Sequence, residues 1–510
     1  MIYTWVNKVI RQNMRRRVEE VFAFTQRPIE SQEQLLRELL AKGVDTEYGQ
    51  KYRFDLIDHP KEYHTRVPLT DYGILKPYIE RMRQGHRNIL WPGKVEWYAK
   101  SSGTTSGVSK FIPVSKESIQ NCHFSGGRYK LALYCHAVPD TKIFEGLGLR
   151  LGGSTEIQSE GRSQSGDLSA ILIQNIPLWA ELRSAPSPGT ALMSDWEKKI
   201  DAILDEALEQ NITSLWGVSS WFLVLFKKVL ERTGKNNILE VWPNLELFAH
   251  GGVNFTPYEE QFRALMPGNQ VTFMENYNAS EGFFAVQDDP TVDGMLLLVN
   301  NGIYFEFIPM DSFNGTNSHT VGLEDVQLNT DYAVVITTNG GLWRYLLGDT
   351  VKFVSLHPFR IKVSGRTAHF INAFGEEVIV TDAENAVNKA CATHHCDLVD
   401  FHAAPCYMNS EKTGGHQWII EFKTPPEDLG AFTLDLDAAL KEENSDYAAK
   451  RKGDLVLQLP NIIVAREGLF HQWLKSKNKL GGQNKVPRLS NNRDLITQLQ
   501  ALNDAAQMPA

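Results

Sequence analysis

Between residues 194 and 274 the sequence alternates helical and strand patterns, and this alternation constrains the fold more than any other feature. Apolar residues recur at helical spacing in Ser194–Gln210, and a second helix is predicted over Ser219–Leu230. Short strands are predicted at Ile212–Val218, Leu245–Ala249 and Val271–Met274. Strands separated by helices pair in parallel, so the pattern indicates an α/β layer architecture with ligand-binding loops after the strand ends.

The length of 510 residues predicts at least two domains, because a single hydrophobic core seldom grows so large. Residues 295–363 change to short strands and turns. Here Asn301-Gly302 is typical of a type I′ hairpin between Met295–Val299 and Ile303–Ile308. This stretch is expected to form a small antiparallel sub-domain attached to the α/β body, which gives a large N-terminal domain of residues 1–364.

The last part of the chain predicts a smaller α+β domain, residues 365–510. Val399–Met408 and His416–Phe422 have the pattern of a β-hairpin. A helix is predicted over Leu434–Lys441 and a further strand over Leu455–Leu459.

Composition excludes some classes of function. The net charge of −9 argues against sequence-independent binding to nucleic acid, and no apolar run is long enough to span a membrane. Five cysteines without a signal peptide indicate a reducing, cytoplasmic compartment and no structural disulfides.

Two helices are predicted near the N-terminus. The basic segment Met1–Val18 has the features of a targeting segment or of an ordinary first helix, and the helical pattern that follows it favours the helix. A second helix is predicted over Ser31–Lys42, with Ser31 and Gln34 as a capping box and Gly43 at its end.

A run rich in hydroxyl groups and glycine, Ser101–Lys110, has the composition of a phosphate-binding loop. Glycine lets the backbone turn so that consecutive N–H groups surround an anion, and the closing lysine adds a positive charge. A flexible linker is the alternative, but the strand-like segments Val95–Ala99 and Phe111–Val114 flank the run and favour a held loop. The run does not match a Walker motif, because Gly107 is not followed by lysine.

Four further stretches carry residues that suit nucleotide chemistry: Asn276–Gly282, Gly348-Asp349, Gly365-Arg366 and Lys485. Each has an ordinary explanation when taken alone. Asp349 follows a glycine as turn residues often do, Glu281 has the character of a surface carboxylate, and Lys485 lies among other solvated lysines.

In this order, the motifs resemble the adenylate-forming superfamily and, within it, the Gretchen Hagen-type (auxin-responsive) acyl acid–amido synthetases. The resemblance extends over nearly the whole chain. It is carried by these stretches: Thr46–Gly49, Val67–Leu69, Ser101–Pro113, Tyr277–Glu281, Gly341–Val351 and Lys485–Arg488.

The resemblance implies a two-step ligase reaction that uses ATP and Mg²⁺. A small carboxylic acid attacks the α-phosphate, giving an acyl-adenylate and pyrophosphate; the amine of an amino acid then attacks the carbonyl carbon and AMP leaves. AMP is a far better leaving group than oxide, which explains the adenylation step. The resemblance also implies an α/β fold with a large adenylate-forming domain and a small mobile C-terminal domain.

The resemblance further implies roles for individual residues. Glu281 would hold Mg²⁺, and Tyr277 would pack on the adenine. Asp349 would accept hydrogen bonds from the ribose hydroxyls, with Arg366 near the same sugar. Lys485 would stabilise charge on the pentavalent phosphorus. The other predicted nucleotide contacts belong to the hydroxyl-rich run and to the flanks of the tyrosine: Ser101, Ser102, Gly103, Thr104, Thr105, Lys110, Asn276 and Asn278.

The chain departs from the family pattern at two positions. Asn278 stands where the family usually has a small residue. The other departure follows Tyr345. The family has an arginine directly after the tyrosine that is Tyr345 here, whereas this chain has Leu346, with Arg344 just before the tyrosine. The substrate pocket is less well specified, because its candidates are equally compatible with a place in the core. These candidates are Trp216, Val218, Trp221, Gly251 and Gly252.

Two other functions remain compatible with the residues. One keeps the adenylation step and uses coenzyme A or another thiol as acceptor. The other is a non-catalytic nucleotide-binding protein on the same fold, which the presence of Glu281, Asp349 and Lys485 argues against. The sequence does not specify the acid, the amine or the oligomeric state.

Overall fold

The computed structural model of this protein describes residues 2–101, 110–152, 157–161, 163–193, 195–367, 370–408, 413–477 and 486–505. The helices of the described residues are α1 (Ile2–Gln26), α2 (Pro28–Gly43), α3 (Glu47–Lys51), α4 (Pro60–Arg66), α5 (Tyr72–Arg83), α6 (Lys116–Ser118), α7 (Phe124–Ala137), α8 (Leu168–Gln174), α9 (Leu178–Glu181), α10 (Pro188–Ala191), α11 (Trp196–Ala207), α12 (Ser219–Thr233), α13 (Glu259–Leu265), α14 (Val380–Thr393), α15 (Leu429–Glu443), α16 (Ser445–Arg451), α17 (Leu469–Ser476) and α18 (Asp494–Ala505). Their strands are β1 (Trp97–Ser101), β2 (Lys110–Val114), β3 (Leu147–Leu151), β4 (Gln158–Glu160), β5 (Ser163–Gly166), β6 (Ser184–Ala185), β7 (Ile212–Gly217), β8 (Leu247–Gly251), β9 (Thr272–Ala279), β10 (Gly282–Val286), β11 (Met295–Leu297), β12 (Ile303–Pro309), β13 (Asp331–Thr338), β14 (Tyr345–Leu356), β15 (Phe359–Arg366), β16 (Phe370–Ile371), β17 (Val378–Ile379), β18 (Asp397–Cys406), β19 (Gly415–Thr424) and β20 (Asn461–Ala465).

The two N-terminal helices are longer than their sequence patterns indicate. Helix α2 begins at Pro28, where the missing N–H of proline costs nothing because the first turn has no partner for it. Ser31 therefore lies inside the helix, and its hydroxyl donates to the carbonyl of Arg27 at 2.7 Å instead of capping. The predicted capping box is wrong. Among the described residues, none of the helices combines the length with the apolar character that a membrane span requires.

A four-stranded sheet in the order β2-β1-β5-β4 contains the two strands predicted around the hydroxyl-rich run. β1 and β2 are antiparallel, and Ser101 at the end of β1 lies opposite Lys110 at the start of β2. Both flanking strands are thus confirmed, while the run between them, residues 102–109, lies outside the described residues.

An eleven-stranded sheet forms the centre of the molecule, in the order β12-β13-β14-β15-β11-β10-β9-β8-β7-β3-β6. The half from β9 to β6 is parallel, with α12 connecting β7 to β8 and α13 connecting β8 to β9. This confirms the predicted α/β layers. The half from β9 to β12 is antiparallel and continues the same sheet, so the predicted antiparallel region is joined to the body strand by strand.

The hairpin predicted at Asn301-Gly302 does not form. β12 pairs with β13, whereas β11 pairs with β10 and β15. The side-chain amide of Asn301 is buried and donates to the carbonyls of Phe283 and Cys122, at 2.9 and 3.1 Å. The Asn-Gly dipeptide is typical of a hairpin loop. In this protein it lies between two strands that each pair with other strands, and Asn301 contacts residues that are distant in the sequence.

The C-terminal unit is a three-stranded sheet, β18-β19-β20, with α14 and α18 packed against it and α15 packed against α14. The predicted hairpin of β18 and β19 is confirmed. The strand predicted at Leu455–Leu459 is wrong, because the third strand is β20, which runs parallel to β19. Leu457 is buried in the core beside β19, and this burial explains the apolar run.

The C-terminal unit shares a hydrophobic cluster with the N-terminal body. Phe222 of α12 and Phe401 of β18 belong to the same cluster, and both side chains are fully buried. Two hydrogen bonds reinforce this contact: the Tyr258 hydroxyl donates to the carbonyl of Ala373 at 2.8 Å, and the Trp221 indole donates to the carbonyl of Phe374 at 3.1 Å. The segment that enters the C-terminal unit is therefore anchored on the body.

Candidate active site

A cleft of about 920 Å³ opens where the parallel half of the large sheet meets its antiparallel half and the C-terminal unit. Its walls come from the ends of β8 and β9, from β14 and β15, and from α8. This is the edge at which ligands collect in parallel α/β sheets. The predicted site residues that line the cleft are Lys110, Gly252, Asn276, Tyr277, Asn278, Glu281, Asp349 and Arg366.

The predicted loop around Tyr277 is a hairpin of β9 and β10. β9 continues beyond the predicted strand to Ala279, and Ser280 and Glu281 form a two-residue turn before Gly282. Successive side chains of a strand point to opposite faces, so Tyr277 is directed away from its two asparagine neighbours. Its ring is buried and packs on Phe284, with ring centroids 4.7 Å apart.

Asp349 is the centre of a buried polar network. Its Oδ2 accepts a hydrogen bond from the Tyr277 hydroxyl at 2.7 Å, and its Oδ1 accepts one from Nε of Arg366 at 2.8 Å. Asp349 and Arg366 are directly opposite each other on β14 and β15, so the sheet register itself brings them together. A carboxylate has about four acceptor positions, so each oxygen of Asp349 retains one for a ligand.

Two nitrogens of the Arg366 guanidinium, Nε and Nη2, contact carboxylates, and the third, Nη1, does not. Besides Asp349, its guanidinium pairs with Glu377, with Nη2 and Oε1 3.3 Å apart. Burial opposes the charge of Arg366, but Glu377 and Asp349 outweigh burial and raise its pKa. The buried Nη1 of Arg366 has no hydrogen-bond partner in the part of the chain that the structure describes. An unpaired buried donor at the wall of a cleft is a candidate ligand contact.

Glu281 and Lys110 bring opposite charges to the same cleft. Burial raises the pKa of Glu281 to about 7, and the nearby Lys110 works against this increase. Burial lowers the pKa of Lys110, and Glu281 is the largest influence in the opposite direction. Each residue therefore favours the charged form of the other in a place where burial disfavours both.

Lys130 is a site-supporting residue that the sequence interpretation missed. It lies on α7 and is 1% exposed, and its Nζ donates to the carbonyl of Met274 at 2.7 Å and to Oδ1 of Asn276 at 2.6 Å. Asn276 in turn donates to Oδ1 of Asn278 at 2.5 Å. The sequence signal that could have found it is a lysine directly before the apolar residues Leu131, Ala132 and Leu133.

Gly251 permits the close packing of β8 on β9 at the edge of the cleft. A Cβ atom at this position would lie 2.4 Å from the backbone carbonyl oxygen of Asn276 and 2.6 Å from the side-chain nitrogen Nδ2 of the same residue. The next residue, Gly252, lines the cleft with a positive φ of 84°. Both glycines therefore shape the backbone around Asn276.

Arg344, the arginine adjacent to the family motif, points into the core. It is 5% exposed and forms an ion pair with Glu306, with Nη2 and Oε1 2.7 Å apart. Its Nη1 donates to the carbonyls of His64 and Val67, both at 2.7 Å. Leu346 follows Tyr345 directly, where the family pattern has an arginine. It lines the cleft and presents an apolar side chain there.

The three predicted substrate residues before Gly251 make contacts outside the cleft, two of them beside the C-terminal unit. Trp216 donates from its indole to Oγ of Ser214 at 2.9 Å. Val218 packs against the cluster shared with the C-terminal unit, and Trp221 contacts Lys450, whose Nζ is 4.1 Å from the ring centroid. None of the three is among the described residues that line the cleft, and their role stays a prediction.

Several predicted residues fall outside the described part of the chain. These are Ser102, Gly103, Thr104, Thr105 and Lys485. The structure resumes at Val486, and the following segment is fixed to β18: the N–H of Ala403 donates to the carbonyl of Arg488 at 2.8 Å, and Nδ1 of His402 lies 2.6 Å from the carbonyl of Pro487. The roles of the residues outside the described ranges remain predictions.

Comparison with known structures supports the fold. The chain is similar to a structure described as "AtGH3.15 acyl acid amido synthetase in complex with 2,4-DB", with a TM-score of 0.63, 19% identity and 96% of each chain covered. It is also similar to a 2-hydroxyisobutyryl-CoA ligase structure, with a TM-score of 0.53, 12% identity and 93% of each chain covered. At these identities the likeness shows the fold alone.

Sequence relatives cover nearly the whole chain. An indole-3-acetic acid-amido synthetase, GH3.8 of Oryza sativa subsp. indica, is 24% identical, with 90% of this chain and 87% of the relative covered. The jasmonoyl–L-amino acid synthetase JAR6 of Nicotiana attenuata is 25% identical, with 92% of both chains covered. A 4-substituted benzoates-glutamate ligase of Arabidopsis thaliana, GH3.12, is 24% identical, with 90% of this chain and 92% of the relative covered.

Family models match three successive parts of the chain. The GH3 family N-terminal domain matches residues 17–271, the central domain matches residues 296–366, and the C-terminal domain matches residues 381–494. These matches include the strands that carry Asp349 and Arg366, and together they extend over most of the chain. With the three domain models of one family matching in order along most of the chain, this protein belongs to the GH3 family.

Proposed function

We propose that this protein is an ATP-dependent acyl acid–amido synthetase. It would convert a small carboxylic acid to its acyl-adenylate and then transfer the acyl group to the amine of an amino acid. The observation that carries the proposal is the convergence of the Tyr277–Asp349–Arg366 network, Glu281 and Lys110 in one cleft. The relatives named above, which act on acyl acids and amino acids, support the same reaction class.

The nucleotide would bind with its ribose at Asp349. Two acceptor positions remain on this carboxylate, which matches the two hydroxyls of a ribose. The unpaired Nη1 of Arg366 would supply a further hydrogen bond to the nucleotide. Tyr277 fixes Asp349 through its hydroxyl, and its packing on the adenine remains part of the proposal.

The residues present fit a magnesium ion that accompanies ATP. Mg²⁺ is commonly held by one or two carboxylates together with phosphate oxygens and water, and Glu281 supplies a carboxylate at the wall of the cleft. When bound, the ion would neutralise phosphate charge during adenylation. The ionised form of Glu281 would be the form that holds it.

The charges opposite the phosphates would come from two parts of the chain. Lys110 lies at the start of β2 with the hydroxyl-rich run directly before it, so it would neutralise phosphate oxygens. Lys485 would approach from the C-terminal unit and stabilise the transition state, an effect worth about 3–4 kcal/mol for a well-placed donor. The loss of either positive charge would slow adenylation more than it weakens nucleotide binding.

The acid substrate would be apolar apart from its carboxylate. Apolar side chains from α8, β14 and the loops nearby contribute to the lining of the cleft: Leu168, Leu172, Val253, Phe313, Leu346 and Leu347. Such a lining favours an aromatic or aliphatic acid. We also propose a reducing, cytoplasmic site of action, in keeping with five free thiols.

Release of pyrophosphate with a panel of small acids tests the proposal. Wild-type protein should release pyrophosphate only with ATP, Mg²⁺ and a suitable acid, and product should then accumulate with amino acids but not with coenzyme A. Asp349→Ala should lower the release at least tenfold. Asp288→Ala serves as the matched control, because Asp288 forms a bidentate pair with Arg360 on the same sheet but outside the cleft.

Two results would contradict this function. A product formed with coenzyme A and not with any amino acid would assign the protein to the thioester-forming alternative. Binding of ATP without acid-dependent pyrophosphate release across the whole panel would instead indicate a non-catalytic nucleotide-binding protein.

A further inference from the structure

Glu377 places a carboxylate beside a site that would receive a polyanion. Its Oε1 lies 3.3 Å from Nη2 of Arg366, on the same edge of the guanidinium as Nε, which donates to Asp349. Glu377 lines the cleft and its side chain is 26% exposed. A negative charge here opposes the binding of ATP by simple electrostatics, so its position calls for another physical reason.

Two carboxylates on one guanidinium fix the plane of that guanidinium. Without Glu377, the guanidinium would be held by the Nε hydrogen bond to Asp349 and by the ring of Phe370, whose centroid is 4.7 Å from Cζ, and it could still turn about the Cδ–Nε bond. With Glu377 holding Nη2, the planar guanidinium is fixed, and its Nη1, which has no hydrogen-bond partner among the described residues, is held in one direction. Support by two carboxylates is one way in which active sites hold a ligand-binding group in one geometry.

The backbone of Glu377 is held in an uncommon conformation. Its φ is 42°, in the left-handed region that residues with a Cβ seldom adopt, and Gly375 two residues earlier has a φ of 87°. A conformation of this kind persists only where the surroundings determine it, and it is often found at functional sites. Here it directs the carboxylate of Glu377 back to the N-terminal body.

The C-terminal unit supplies those surroundings. The side-chain amide of Asn444, the residue that caps α16, donates to the carbonyl of Glu377 at 3.2 Å and to Oδ2 of Asp382 at 2.9 Å. On the other side, the buried carboxylate of Glu376 accepts from the N–H of Phe374 at 2.7 Å and lies 2.9 Å from Nε2 of His416. Glu377 is therefore presented by the C-terminal unit to Arg366 on β15 of the eleven-stranded sheet.

We propose that Glu377 is a positioning residue for the ribose subsite. It holds Arg366, and through it Asp349, so that the subsite is complete only while the C-terminal unit is seated as in this structure. The inference rests on the proposed function in one respect, namely that the ligand of Asp349 is a ribonucleotide.

Binding of ATP and 2′-deoxy-ATP, measured by calorimetry with Mg²⁺ and without any acid substrate, tests the inference. A hydroxyl bound to a charged acceptor is worth about 1.5–3 kcal/mol, so wild-type protein should prefer ATP by at least about tenfold. Glu377→Ala should reduce this preference to within about threefold. Glu377→Gln keeps an oxygen that accepts from Arg366 and should retain most of the preference.

Further variants separate positioning from a loss of structure. Glu377→Asn removes the carboxylate from its place while tolerating the left-handed backbone, and should behave like Glu377→Ala with an unchanged melting temperature. Asn444→Ala, outside the cleft, should reduce the preference partly. Asp288→Ala, the control named above, should leave it unchanged.

The outcomes distinguish this inference from the proposed function. If the alanine and asparagine variants at position 377 bind both nucleotides more tightly with an unchanged ratio, the carboxylate acts only through its charge and the inference is wrong. If wild-type protein binds ATP and 2′-deoxy-ATP equally, Asp349 does not read the ribose and the inference is also wrong, while acid-dependent pyrophosphate release still decides the function. If wild-type protein binds no ATP at all, both are overturned.

Discussion

Glu281 should make magnesium-dependent activity sensitive to pH near neutrality. Burial raises the pKa of this carboxyl group to about 7, whereas an exposed glutamate titrates near 4.3. With a pKa of about 7, the ionised fraction is about 9% at pH 6, about 50% at pH 7 and about 91% at pH 8. Only the ionised form holds Mg²⁺, so the apparent affinity for the ion should rise about tenfold from pH 6 to pH 8.

The assay is pyrophosphate release at limiting Mg²⁺ across this pH range. ATP itself also loses a proton in this range, so Glu281→Gln supplies the baseline that belongs to the nucleotide alone. Lys110 opposes the raised pKa of Glu281, and Lys110→Met should therefore move the midpoint above pH 7. Lys352→Met, which removes a lysine paired with Asp331 on the same sheet, should leave the midpoint in place.

Unfolding of the nucleotide-free protein checks the same pKa by a second route. The folded pKa lies above the unfolded value, so folding favours the protonated form, and stability is lost as the pH rises through 7. The rise of this pKa from about 4.3 to about 7 predicts a loss of about 2–3 kcal/mol between pH 5 and pH 8. This loss should be present in wild-type protein and absent in Glu281→Gln. Identical pH profiles for the two proteins in both assays would refute the reasoning.

Other contacts give three further predictions. Lys130→Met should raise the KM for ATP severalfold, because it removes the hydrogen bonds to Met274 and Asn276, and should lower the melting temperature; steady-state kinetics with unchanged KM would contradict this. Glu306→Gln leaves the buried charge of Arg344 without its counter-ion and should lower the free energy of unfolding by about 3–5 kcal/mol, as measured by denaturant unfolding. The KM for ATP of the folded protein should change little. Gly251→Ala should impair nucleotide binding in calorimetry, since the added methyl group would displace Asn276; wild-type affinity would show that the backbone yields there.

Local patterns predicted much of the fold correctly. The alternation of β7, α12 and β8 follows from hydrophobic spacing, which depends on residues that are neighbours in the sequence. The strands β1 and β2 around the hydroxyl-rich run and the hairpin of β18 and β19 follow for the same reason. The family motifs also led to residues that line the cleft, among them Tyr277, Glu281, Asp349 and Arg366.

Pairings between distant segments were not predictable in this way. The Asn301-Gly302 turn has the local signal of a hairpin, yet β11 and β12 pair with other strands, and the side chain of Asn301 donates to the carbonyls of Phe283 and Cys122. Likewise, Arg344 has the residue type of a ligand contact, but its side chain pairs with Glu306 in the core. In both cases the outcome depends on groups far away in the sequence, which no local pattern reports.

By itself, the sequence of this protein determined the layer architecture and indicated the residues that are proposed to hold a nucleotide. Only the tertiary structure decided which groups support them: Lys130 donates to Asn276, and Glu377 pairs with Arg366, which also pairs with Asp349. The physical reason is that periodicity and residue type express short-range preferences. The partner of a buried charge is set instead by the packing of whole elements, which brings it within hydrogen-bond distance from another part of the chain.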